Sequence, residues 1–258
     1  MHRPSRVFLS LCLLLAAPAG AFSQRYVGDL PPLPHLEPAP IPAPAPPRRE
    51  GGKVFFGNAV VDTAARTLSV TGWVNQAGGL IEVFACGPRG KTHESAFVID
   101  VNPFDLENGL LALGLKAGEP MSGFGVGPPH GDPVDIFVDW TDATGTAQTA
   151  RGETFVRDIE QDAPLAPGPW TFTGSVVIDG RFMAVSEETF VASFWDPYAI
   201  VNNPLASGSN DDILFVNSEA MPPRGTPVTM RFSPAAAPHP EAATEPMESA
   251  TPRIRYGF

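Results

Sequence analysis

The chain has 258 residues, 17 basic and 28 acidic side chains, and a formal charge of −11. That balance excludes nucleic-acid binding by general electrostatics and disfavours an anionic lipid surface. The length allows one domain with a full core once the low-complexity ends are set aside.

Residues 1–21 read as a secretory signal peptide. Arg3 and Arg6 precede a short apolar run from Phe8 to Ala17, and Ala19-Gly20-Ala21 fits the small-residue cleavage rule. The run is too short to span a bilayer as a stable helix. Cys12 lies within it and is expected to be removed with it. Cleavage takes away two arginines and no acids, so the charge moves from 17 − 28 = −11 to 15 − 28 = −13. No other stretch is long and apolar enough to anchor the chain, and the expected location is periplasmic or extracellular. Residues 22–52 read as a proline- and alanine-rich linker, extended and near polyproline II. Residues 233–258 read as a disordered tail rich in Pro, Ala and Glu, ending in Arg253-Ile-Arg-Tyr-Gly-Phe258.

The intervening residues 53–232 carry the fold. Strands are expected at 53–61 and 66–74. Ile81, Val83 and Ala85 then alternate with Glu82, Phe84 and Cys86, a period-two pattern. Gly87-Pro-Arg-Gly90 is turn chemistry. A hairpin closed there sets Cys86 opposite Lys91 and Phe84 opposite His93. Cys86 and His93 become diagonal neighbours about 7 Å apart at Cα. Glu94 falls on the other face among Ile81, Val83, Ala85 and Ala96, where a carboxylate needs a partner or a proton. A helix follows, with Asn102 as N-cap, Pro103 at the first position and Gly118 as its stop. Phe104, Leu111 and Leu115 form one apolar stripe and Leu106, Leu110 and Leu113 another, so the helix is expected to be buried, with Gly109 and Gly114 allowing close approach. Gly118 to Asp132 is a glycine-proline loop. Further strands are expected at 134–140, 147–156, 170–178, 181–186, 188–195, 211–217 and 226–232. Many short strands and one good helix predict a mostly β domain with one buried helix (α+β), built as a sandwich or an open barrel.

The run Ile81-Glu82, Cys86, Lys91-x-His93-Glu94-Ser95 and Leu110-Leu-Ala-Leu-Gly-Leu115 resembles the YdjY-domain family of exported bacterial proteins. Trp170-Thr-Phe-Thr-Gly-Ser175, Asn210-Asp-Asp212 and Pro222-Pro-Arg-Gly-Thr-Pro-Val228 resemble its remaining blocks in the same order, so the resemblance covers about residues 53–232. It implies a fold and an exported location. The family brings no established activity with it.

For chemistry, the sequence offers Cys86, Lys91, His93 and Glu94. A lone thiol in an oxidising compartment is buried, reactive or paired between chains. Burial is the preferred reading, since free cysteine behaves as a small hydrophobe. The rival is a thiol-dependent or metal-assisted activity in which His93 and Lys91 lower the thiol pKa. Cys86, His93 and His130 form a weak metal set, with no close ligand pair to nucleate it. The acids Asp132, Asp135, Asp139 and Asp142 and the run Ser209-Asn-Asp-Asp212 lack calcium-loop spacing. Gly123-x-Gly-x-Gly127 runs into prolines rather than a helix, and Glu187-Glu188 are neighbours rather than opposed acids. Trp140, Trp170 and Trp195 would serve a sugar platform only if two were exposed together. No cofactor is expected. The leading expectation is a non-enzymatic module that binds an envelope protein or small ligand.

Overall fold

The computed structural model describes residues 46–119 and 121–235. The expected signal peptide, residues 22–45 of the expected linker and the tail from residue 236 lie outside the described residues.

Arg48–Glu50 (β1), within the proline-rich stretch, is an edge strand antiparallel to Lys53–Phe56 (β2). Gly57, at φ +52°, turns β2 into Ala59–Asp62 (β3), so the first expected strand is a hairpin. Thr67–Val74 (β4), Val83–Cys86 (β5) and Ser95–Ile99 (β6) precede the helix Pro103–Ala112 (α1). Asp132–Thr141 (β7) and Ala147–Arg151 (β8) flank a turn in which Asp142 accepts the Thr144 and Thr146 amides. Then come Val156–Asp158 (β9), Ala163–Pro164 (β10), Trp170–Phe172 (β11), Val177–Ile178 (β12) and Arg181–Phe182 (β13). Met183–Glu187 (α2) is a short helix where a strand was expected. Thr189–Ala192 (β14), Val201–Asn202 (β15), Leu214–Val216 (β16) and Pro227–Pro234 (β17) complete the chain.

Eight strands close on themselves in the order β4-β17-β7-β11-β15-β14-β5-β6, with β6 returning to β4. The fold is therefore a closed barrel, which replaces the sandwich and goes further than the open barrel. Closure depends on two long strands with shared edges. On one edge of β4 the first half pairs with β3 and the second half with β6. On one edge of β7, β11 and β8 divide the length in the same way. Gly72 sits at the closing pair, where a Cβ would stand 2.1 Å from the Val98 carbonyl oxygen.

Side chains fill the interior, as in other small barrels. Val134, Ile136 and Val138 of β7 and Val228, Met230 and Phe232 of β17 all enter the core, with Ile136 beside Phe232 and Val138 beside Met230. Phe84 lies 5.1 Å from both Phe97 and Trp170, and Phe97 lies 5.5 Å from Phe155, ring centre to ring centre. β7 alternates inward and outward, whereas β5, β6 and β14 are buried at every residue and so covered on both faces.

The Asn102 side chain accepts the Phe104 amide at 2.9 Å, capping α1 with Pro103 behind it. The stop is Gly114, at φ +86°, rather than Gly118. Gly109 lets the helix approach β4, where a Cβ would meet the Leu68 methyl at 2.7 Å. Leu106 and Leu110 enter the core, but Leu111 is 47% exposed, so only one of the two apolar stripes is fully covered.

Candidate functional site

The Cys86–Lys91 hairpin is not formed. β6 runs parallel to β5, pairing Val83 with Ser95 and Cys86 with Val98. The turn at Gly87–Gly90 does close, with the Gly90 amide on the Gly87 carbonyl at 3.0 Å. The chain then continues through a 3-10 turn, Thr92–Glu94, back to the level of Val83 before β6 begins. Side-chain hydrogen bonds hold this return. The Asn75 amide donates to the Thr92 and Ser95 carbonyls at 2.6 and 2.8 Å, and Gln76 donates to the His93 carbonyl at 2.5 Å. The Ser95 hydroxyl donates to the Lys91 carbonyl at 2.6 Å. At the other end the buried Glu188 carboxylate takes the Arg89 amide at 2.8 Å and grips its guanidinium. β14 repeats the device: it is antiparallel to β5, and residues 193–200 return the chain into parallel β15.

The two returns bring a charged cluster together. Lys91 Nζ stands 3.2 Å from Glu94 and 3.8 Å from Glu82, and 5.9 Å from the centre of the Phe124 ring. Phe124 is 47% exposed and meets Tyr198 edge-on at 5.1 Å. Asp196, from the second return, is buried and accepts the Tyr198 amide at 2.7 Å. Burial pushes its carboxyl up to about 6, with Lys91 partly offsetting. Burial and repulsion from Glu94 likewise raise Glu82. For Lys91 burial works against the ammonium, but Glu94, Asp196 and Glu82 outweigh it and the pKa rises. Glu94, expected on an apolar face, sits in the 3-10 turn with Lys91 as its partner.

Cys86 is not exposed within this cluster, although Glu94 also acts on its thiol. It is fully buried in a small second core with Val83 and Val98. Burial pushes its thiol up to about 11, with the Ser95 hydrogen bond opposing and Glu188 reinforcing. Val83 and Cys86 share that core while Phe84 and Ala85 enter the main one, because register shifts against β14 break the period-two pattern. The His93 side chain is 79% exposed and its Nε2 lies 3.5 Å from Glu94. The predicted Cys86–His93 face is thus absent, and with it the geometry of a histidine-activated thiol. His130 is exposed on the 118–131 loop, and no group of three or more His, Cys, Asp or Glu among the described residues is arranged to hold a metal ion.

Three of the acids weighed for calcium have local partners, and of Asp212 it is the backbone amide that is bonded. Asp135 pairs with Arg151 at 2.6 Å, Asp139 pairs with Arg231, Asp132 accepts the Lys116 amide at 2.8 Å, and Asn210 accepts the Asp212 amide at 3.0 Å. Trp170 and Trp195 are buried and Trp140 packs on Phe155, which removes the tryptophan platform. The exposed aromatics among the described residues are Trp73, on β4, and Phe124, from the glycine loop. Sequence reasoning missed Phe124, Asp196 and Tyr198 because they lie 33 to 107 residues from Lys91 in the chain. It passed over Glu82 as an alternating strand residue.

A separate cleft of about 560 Å³ lies where the 158–166 segment faces the 205–213 segment. It shares no lining residue with the Lys91 cluster. The Trp195 indole donates to the Asn203 carbonyl at 2.7 Å, and Gly127 and Gly208 pack against its ring.

A closed small barrel with an inaccessible thiol and a surface cluster of one lysine among acids is a β-barrel domain in which Cys86 and His93 are not assembled as a pair. The profile of the YdjY domain matches residues 59–233, and the chain belongs to that family. No curated protein and no solved structure matches it. No helix among the described residues is long and apolar enough to cross a membrane.

Proposed function

We propose that this protein is an exported, non-enzymatic module that binds a small ligand or a partner of the cell envelope through the surface around Lys91. The observation that supports this most is that the thiol is closed off from solvent while the charged cluster is open to it. Cys86 is sealed in a core, while Lys91, Glu94, Glu82 and the exposed face of Phe124 meet on the surface. Charge and an exposed ring at one place suit recognition, and the ring already takes an ammonium. Export is supported by the N-terminal pattern of residues 1–21.

The test has two parts. Cell fractionation with N-terminal sequencing should find the protein outside the cytoplasm, beginning near residue 22. Protein retained in the cytoplasm with residues 1–21 attached would overturn export. Retention of the purified protein on an envelope fraction should fall at least about fivefold in Lys91→Gln and Phe124→Ala without loss of thermal stability. Equal retention of wild type and both variants would overturn the site.

A further inference from the structure

We infer that the cleft between residues 158–166 and 205–213 is a second binding site, built for an organic amine carried on an apolar body. This goes beyond the reading of the Lys91 surface and rests on different residues. A volume of about 560 Å³ suits a small organic molecule. The buried Leu165, Leu205 and Ile213 contribute an apolar lining. The polar lining is one-sided in charge: Asp158 and Glu160 carry carboxylates, and no Lys, Arg or His lines the cleft. A carboxylate ligand would meet repulsion there and an ammonium attraction, with the chain's overall charge of −11 adding to the steering.

Two features show a site that is organised. Asp158 is buried, and one of its oxygens is held by the Glu160 and Gln161 amides at 2.9 and 3.2 Å, which fixes the carboxyl group in the wall. The Ser207 hydroxyl, also in the lining, is buried and has no hydrogen-bond partner. A buried hydroxyl normally finds one, and a ligand's polar head would supply it once Ser207, a half-buried residue, turns its hydroxyl into the cleft.

The probes are benzylamine, benzyl alcohol and benzoate, which share a ring and differ in head-group charge. Each is titrated at neutral pH and constant ionic strength into the purified ¹⁵N-labelled protein, with amide shifts as the readout. The expected result is saturable shifts at residues 163–166 and 205–213 with benzylamine. Affinity should be at least about fivefold above benzyl alcohol, with benzoate weakest. Asp158→Asn keeps the oxygen that the two amides need, and with Glu160→Gln it should abolish the preference for the amine while leaving the alcohol unchanged. Glu160→Gln alone, an exposed change, should reduce it in part. Three probes binding alike, an amine preference that survives both substitutions, or shifts only outside the cleft would each overturn the inference. Loss of retention in Lys91→Gln bears on the other surface alone, so the two readings fail separately.

Discussion

Cys86 offers the sharpest test, because the rival thiol chemistry depends on it. Its side chain is fully buried, and burial raises the thiol from the usual 9.0 to about 11. At about pH 8 a free thiol is roughly 10% thiolate, whereas one shifted up by two units is roughly 0.1% thiolate, so ionisation alone slows alkylation about 100-fold. Closed packing slows it further, since a reagent reaches the sulfur only when the structure opens. The assay is iodoacetamide labelling across pH, read by mass spectrometry on native and denatured protein. Native protein should label at least about 100-fold more slowly than denatured protein at about pH 8, and His93→Ala should not change the rate. The same shift carries a stability consequence. The folded state keeps a proton that the unfolded thiol loses above about pH 9, so stability falls between about pH 9 and pH 11, by on the order of 3 kcal/mol in total. Cys86→Ala should remove that slope. Fast native labelling with a midpoint below about 8.5, moved by His93→Ala, would refute the burial argument and restore the thiol to the candidate chemistry.

Leu110→Ala deletes a fully buried side chain and should cost about 2–5 kcal/mol, whereas Leu111→Ala, at a half-exposed site, should cost under about 1 kcal/mol in denaturant unfolding. Gly72→Ala should destabilise by about 3 kcal/mol or more, because a Cβ would clash with backbone at the pair that closes the barrel, and a wild-type-like melting curve would contradict the closure. Asp196 is protonated in the folded state up to about pH 6 and in the unfolded state only to about 3.8. Stability contributed by this group is therefore present at low pH and lost as pH rises from about 4 to about 6, on the order of 3 kcal/mol. Asp196→Asn should flatten the melting temperature over that window.

The features legible in the chain were those set by nearest neighbours. Asn102-Pro103 starts a helix because a side-chain acceptor and a residue without an amide hydrogen both suit its first turn, and the structure shows both in place. Alternation in 134–140 marks a half-buried strand, and that strand and the one expected at 226–232 both form. The ordered blocks from Ile81 to Val228 pointed to the family that the profile confirms.

Three things escaped. The parallel path from β5 to β6 is set by the Asn75, Gln76 and Glu188 contacts with the return, and turn residues alone favour the simpler hairpin. The burial of β5 on both faces comes from segments far along the chain. The Lys91 cluster gathers Phe124 and Asp196 from two other loops.

Local sequence thus determined composition, charge, most strand positions, the helix start and the family, because each depends on residues adjacent in the chain or on their order. Tertiary structure alone decided that the sheet closes, that Cys86 is sealed away from His93, and that Lys91 meets Glu82 and Phe124. Those outcomes depend on strand register and on contacts between distant segments, and a one-residue shift in register moves a side chain to the opposite face.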